Sequence, residues 1–233
     1  MNLFYQPEIQ QGVHCLDPTE SKHCTKVLRK RAGDLIHITD GHGFLYHALI
    51  TKSDVQQCAF EIREKIPEAS KKYSIHIAIS PTKHPDRLEW FIEKAVELGI
   101  DKITLIECDH TERTHIKLER LEKIAVSAMK QSLRFTLPFI LEPVKIQEVI
   151  NNADASSKFI AYVEPANPVH LKNVALPNSD YLVLIGPEGD FSSEELNLTQ
   201  EKKFVKVSLG ANRLRTETAG VAACHILNLV NTP

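Results

Sequence analysis

The sequence predicts an α/β protein in two parts: a small β-barrel first, then a mostly parallel sheet covered by helices. Three observations predict this. Up to about residue 68, short alternating apolar runs are separated by turn residues, with no long helical pattern. From residue 75 onward, short apolar strands alternate with amphipathic stretches, as in a parallel sheet with helices on both faces. Between them, Pro67 and the polar stretch 68–72 mark a boundary, so the parts are read as residues 1–70 and 71–233.

In the first part, residues 34–39 alternate apolar and polar, and Asp40-Gly41-His42-Gly43 supplies turn chemistry. Residues 44–50 and 58–66 are further strands. In the second part, residues 75–80 and 102–107 are strands. A helix over 86–98 lies between them, with Leu88, Phe91, Ile92 and Ala95 at helical spacing and Gly99 as its stop. Leu118, Leu121, Ala125 and Ala128 mark a second helix, ended before Pro138. Residues 159–163, 181–185 and 204–209 are three more strands, and a last helix covers about 217–230.

Bulk properties exclude several classes. Of 233 residues, 42% are hydrophobic and 25% charged, ordinary for a globular protein. A net charge of −2 argues against a protein that coats nucleic acid with its whole surface, while a local basic patch stays compatible with RNA. Five cysteines, an odd number without a C-x-x-C pair, read as reduced thiols, and no signal peptide is visible. No apolar run approaches the ~20 residues that span a bilayer. A cytoplasmic protein with no membrane partner is expected.

Two segments carry chemistry. Ile185-Gly186-Pro187-Glu188-Gly189-Asp190-Phe191 follows a buried strand, with two glycines for a tight turn and Pro187 fixing a torsion between them. Ser192 and Glu195 form a capping box, with Phe191 and Leu196 as a hydrophobic staple. This places a tight loop where α/β sheets bind ligands, although an ordinary strand-to-helix turn reads the same way. Neither G-x-x-x-x-G-K-[ST] nor G-x-G-x-x-G occurs, so nucleotide hydrolysis and nicotinamide binding lose their usual support. The second segment, Leu209-Gly210-Ala211-Asn212-Arg213-Leu214-Arg215-Thr216-Glu217-Thr218-Ala219, again joins a strand to a helix. Glu217 suits the helix dipole and Thr216 a cap, but Arg213 and Arg215 are mildly unfavourable at that end and need another reason, such as an anionic substrate. Ala219, Gly220, Ala222 and Ala223 allow close packing of the helix that follows.

GPEG-x-F after one strand and LG-x-x-x-LR-x-ETA after the next resemble the RsmE family, 16S ribosomal RNA uracil-N3 methyltransferases of the SPOUT (trefoil-knot) superfamily. The resemblance extends across most of the chain. His23, Val27, Leu28 and Arg29 match an H-x-x-x-V-L-R element; Gly33-Asp34 and Asp40-Gly41 match the strands after it. Lys83, Arg87, Glu89, Lys94, Glu97, Leu98 and Gly99 match a K…R-x-E…K-A-x-E-L-G helix, and Gln131, Ser132, Arg134 and Pro138 match Q-S-x-R…P. Asp190 stands where the family loop commonly has glycine, Asn212 where it has an arginine, and Lys130 where an acid is frequent.

The resemblance implies a SPOUT knot domain over 71–233, a PUA-like barrel over 1–70, and a homodimer with the site near its interface. S-adenosylmethionine is the implied methyl donor, held by Ile185, Gly186, Pro187, Glu188, Gly189, Leu209, Gly210, Leu214, Thr218 and Ala219. The partner is 16S rRNA in the 30S subunit. Arg215 is expected to stabilise a uridylate, and Glu217 to position it or take its proton. No metal is needed, because the sulfonium is already activated.

RNA contacts are expected from Lys22, His23, Lys26, Arg29, Lys83, Arg87, Gln131 and Arg134. Lys22, Lys26, Arg29, Lys30 and Arg31 fall close together with no acid among them, although such runs are usually solvated helix faces. The pairs His14-Cys15 and His23-Cys24 fit no zinc spacing, and Trp90 reads as core or interface. A silent ribosome-assembly factor with the same fold, or a SPOUT enzyme acting on transfer RNA, are the alternatives.

Overall fold

The computed structural model describes residues 2–162 and 169–232, which fall into two compact units. The first comprises residues 1–70 with 126–137, the second 71–125 with 138–233.

The first unit is built on one four-stranded sheet, β1 (Leu3–Tyr5), β2 (Leu35–Thr39), β3 (Phe44–Lys52) and β4 (Ala59–Pro67), in that spatial order. Strands β2, β3 and β4 form antiparallel pairs, whereas β1 runs parallel to β2. Alternation sends Ile36, Ile38, Tyr46, Ala48, Ile50 and Phe60 to one face, where Phe4, Leu16 and Cys24 complete a core. Helix α1 (Pro18–Lys22) starts as its residues dictate: Asp17 caps Thr19 and Glu20, and Pro18 takes the first position, where its missing N–H costs nothing. All five cysteines are free thiols, and Cys24 and Cys58 are wholly buried. Burial, reinforced by the Cys58 thiol beside it, pushes the Cys24 thiol up to about 12.

The 126–137 segment joins this unit through specific contacts. Thr39 Oγ1 donates to the Phe135 carbonyl at 3.0 Å, and Thr136 Oγ1 to Glu68 Oε2 at 2.6 Å. Lys130 pairs with Glu20, whose other oxygen accepts from the Tyr5 N–H at 3.2 Å. The lysine at this position therefore has its own acidic partner within the unit, with both side chains largely buried. Lys130→Met keeps most of the alkyl packing but strands the Glu20 carboxylate. It is expected to cost about 2 kcal/mol, read as a lower urea midpoint at unchanged slope.

The second unit is a six-stranded, wholly parallel sheet in the order β10-β8-β9-β5-β6-β7. Its strands are β5 (Ser74–Ile79), β6 (Lys102–Glu107), β7 (Phe139–Lys145), β8 (Ser157–Ala161), β9 (Asp180–Ile185) and β10 (Val205–Val207). Val163, expected to end the β8 strand, lies outside the described residues. Helices α2 (Pro85–Glu97), α3 (Leu118–Gln131), α4 (Ile146–Asn151), α5 (Leu171–Val174), α6 (Ser193–Glu201) and α7 (Thr216–Asn231) make the connections and the C-terminal element. Central strands β5 and β9 are buried on both faces, hence their unbroken apolar runs. Leu182 and Leu184 face a cluster with Ile146, Ile150, Phe191 and Phe204 on the α4 and α6 side. On the other side α7 packs against α2, β5 and β9. No helix among the described residues is long and apolar enough to cross a membrane.

Candidate functional site

The carboxyl ends of β8, β9 and β10 meet at a cavity of about 550 Å³. Three loops supply its walls: the end of β8, the β9–α6 loop, and the segment between β10 and α7. Ile185, Gly186, Pro187, Glu188, Leu209, Gly210, Leu214 and Ala219 all line it. Ala161, Tyr162, Val207, Ser208, Asp190, Asn212, Arg213, Arg215 and Thr216 complete the lining. Of these, Ala161, Tyr162, Val207 and Ser208 carry no signal in the chain. They reach the cavity because β8 and β10 are neighbours, which pairing alone reveals.

The β9–α6 loop is held from several directions. Its turn closes with the Asp190 N–H donating to the Pro187 carbonyl at 3.0 Å. Asp190 adopts φ +64°, the left-handed conformation glycine takes most easily, at the position where the related loop commonly has glycine. The capping box forms: Ser192 Oγ accepts from the Glu195 N–H at 3.3 Å, and Glu195 Oε2 accepts from the Ser192 N–H at 2.8 Å. Glu195 Oε1 also accepts from the Asp109 N–H at 2.9 Å, tying the loop to the segment after β6. Gly186 must lack a side chain, because a Cβ there would lie 2.9 Å from the Phe191 ring. Gly189 sits outside the cavity lining, packed so that a Cβ would lie 3.0 Å from His110 Cβ.

The β9–α6 loop and the segment before α7 are joined directly. Thr216 Oγ1 donates to the Gly186 carbonyl at 3.0 Å, so this hydroxyl bridges loops and the cap position belongs to Arg215. Arg213 Nη2 donates to the Glu188 carbonyl at 3.3 Å. Arg215 is exposed and lines the main cavity and also a second one of about 350 Å³, bounded by Asp86, Arg87, Trp90, Glu217 and Thr218. Thr218 faces only this second space, and Trp90, 42% exposed, is not core. Glu217 is 7% exposed; Arg87 Nε lies 3.8 Å from its Oε1, and its buried Oε2 has no hydrogen-bond partner among the described residues.

The expected RNA-contacting residues divide between the units. Lys22, Lys26 and Arg29 are exposed in the first, beside half-buried His23, and Arg29 adopts φ +55°. Gln131 and Arg134 belong to the same unit, with Arg134 Nη2 4.0 Å from Glu68 Oε1. Lys83 and Arg87 lie in the second unit. Lys83 is exposed and pairs with Glu112 at 2.9 Å, while the guanidinium of Arg87 faces Glu188 and Glu217. Among the described residues, no three His, Cys, Asp or Glu side chains are grouped to hold a metal ion.

The chain matches two families of known domains. Residues 69–228 match the RNA methyltransferase domain, and residues 16–62 match the RNA methyltransferase PUA domain. This defines the class: an α/β methyltransferase unit joined to a PUA-type unit. The chain belongs to the ribosomal RNA small subunit methyltransferase E family. It is 28% identical to the Aquifex aeolicus member over 97% of this chain and 99% of that one. The probable rRNA-methyltransferase of Porphyromonas gingivalis is 42% identical, with a TM-score of 0.94 over 99% of this chain and 98% of that one. The Neisseria gonorrhoeae ribosomal RNA small subunit methyltransferase E, solved with S-adenosyl methionine bound, is 28% identical, with a TM-score of 0.85 at the same coverage.

Proposed function

We propose that this chain transfers a methyl group from S-adenosylmethionine to N3 of a uridine in 16S rRNA of the 30S subunit. The carrying observation is the cavity where two tied loops and the ends of parallel strands converge. Its volume fits the ~300–1,000 Å³ of small-molecule sites. Its walls mix apolar side chains from Ile185, Leu209 and Leu214 with backbone polar groups around Gly186 and Gly210, as a nucleoside-bearing donor requires. When bound, the donor supplies an electrophilic methyl on a sulfonium.

The residues have the remaining work. Uracil N3–H is no nucleophile, so its proton must leave, and charge then grows on the ring oxygens. Glu217, with a free buried carboxylate oxygen, is the proton acceptor, and Arg215, exposed at the mouth of both cavities, faces the developing charge. Thr216 and Arg213 keep the two loops in register, which fixes the line between donor and base.

The C-terminal unit is read as a trefoil knot. Supporting this, the chain runs out to edge strand β10 and returns through α7 onto β5 and β9. A homodimer is favoured by Trp90 on α2 and Leu229 on α7, large apolar residues left exposed on adjoining helices. Residues 1–70 are taken as the RNA-holding domain and 71–233 as the catalytic one, and a ribosomal substrate places the protein in the cytoplasm.

The deciding assay is transfer from labelled S-adenosylmethionine to 30S subunits lacking the mark, with the product mapped by nuclease digestion and mass spectrometry. One N3-methyluridine is expected; donor binding without transfer to any 16S site refutes the assignment. Arg29→Ala is expected to weaken 30S binding and to reduce the salt slope by about one. An unchanged slope removes Arg29 from the RNA track.

A further inference from the structure

Arg87 occupies the first turn of α2, and its guanidinium lies between two carboxylates from separate segments. Nε is 3.8 Å from Glu217 Oε1, and Nη1 is 4.0 Å from Glu188 Oε1. Glu188 belongs to the first ligand loop and Glu217 to the first turn of α7, so one side chain spans both halves of the site. These are ion-pair distances rather than hydrogen bonds; Glu188 Oε1 also accepts from the Lys83 N–H at 3.3 Å. The buried Glu217 Oε2 has no hydrogen-bond partner among the described residues, and the group lines the second cavity with Asp86, Trp90 and Thr218. A buried carboxylate without a counter-charge would be costly, and Arg87 on α2 and Arg215 on its own segment are the cations that face this cavity. Asp86 adds a like charge there, which makes the guanidinium more necessary.

We propose that Arg87 is a positioning residue for methyl transfer and not an RNA phosphate contact. It holds the Glu217 carboxylate in one orientation toward the second cavity and ties the Glu188 loop to α7. The planar fork is essential, because an ammonium is a point charge and cannot address two carboxylates in two directions. The proposal rests on reading Glu217 as the group that takes the proton from the acceptor base.

The test is a mutant cycle in the full-length protein, assayed by methyl transfer to 30S subunits lacking the mark. Arg87→Met is expected to lower kcat by roughly 100-fold, the scale of a misplaced catalytic group, while KM for the 30S subunit and the salt slope of binding stay unchanged. Arg87→Lys is expected to recover only a small part of that loss, because an ammonium answers one carboxylate and not both. Combined with Glu217→Gln, either Arg87 variant should lose far less than it does in the unaltered protein, because only the tie to the Glu188 loop is left to break. If Arg87→Met does not fold, Arg87→Lys closes the same cycle. Independent, multiplying losses overturn the proposal. So does a salt slope reduced by about one with kcat intact, the signature of a phosphate contact. Absence of transfer by the unaltered protein is a different failure, since it removes the methyltransferase reading before any variant is compared.

Discussion

Glu217→Gln is expected to lower the rate of methyl transfer at saturating donor and 30S subunit by about 10²- to 10⁴-fold. The substitution keeps the size and shape of the side chain and removes its charge, and with it the capacity to take a proton and the ion pair with Arg87. Glu217 is 7% exposed, sits in the first turn of α7, and has one carboxylate oxygen with no hydrogen-bond partner. A carboxylate placed only to favour the helix dipole would contribute ~0.3–1 kcal/mol to stability and nothing to the chemical step. The two roles therefore separate cleanly. Donor affinity, measured by calorimetry, should stay near that of the unaltered protein, because Glu217 is absent from the lining of the main cavity. Transfer at a near-normal rate would assign the proton to solvent or to another group.

Gly220→Val carries the largest expected loss of stability, about 3 kcal/mol. A Cβ at this position would lie 2.5 Å from Phe91 Cε2 and 3.0 Å from Ile79 Cδ1. Both neighbours are fully buried, Phe91 on α2 and Ile79 at the end of β5, so neither has free volume to move into. The β-branched side chain also fits a helix poorly. Gly220→Ala makes the decisive control. Alanine in a helix gains roughly 0.5–1 kcal/mol over glycine, whereas overpacking costs about 1–3 kcal/mol, so a net loss is expected. A higher melting temperature for Gly220→Ala would mean that Phe91 yields and that α7 is packed less tightly than the contact distances imply.

Local patterns were readable wherever one segment defines its own environment. The capping box at Ser192 and Glu195, the helix over Pro85–Glu97 and the strand Lys102–Glu107 follow from residues adjacent in the chain. Elements with too few residues for a period to repeat were not readable. Strand β1 has three residues and exists through its pairing with β2, and α4 and α5 have six and four. Strand β7 contains Pro143 and shows no alternation because it lies on the edge of the sheet, where a missing N–H is tolerated. Arg87 looked like part of a basic RNA track because its acidic partners, Glu188 and Glu217, lie far downstream. Lys130 departs from the family pattern, and its acidic partner, Glu20, lies far upstream in the chain.

The linear order of residues is enough to specify the α/β class, the two tight loops that follow β9 and β10, and the family, because loop chemistry and capping are written in neighbouring positions. Packing was needed to bring Tyr162 and Ser208 into the cavity, to assign 126–137 to the first unit, and to place Arg87 between two carboxylates. The physical reason is the same in each case. Parallel strands leave little sign of their lateral order in sequence, since the central ones are buried on both faces and read alike, and ion pairs between distant segments depend on that order.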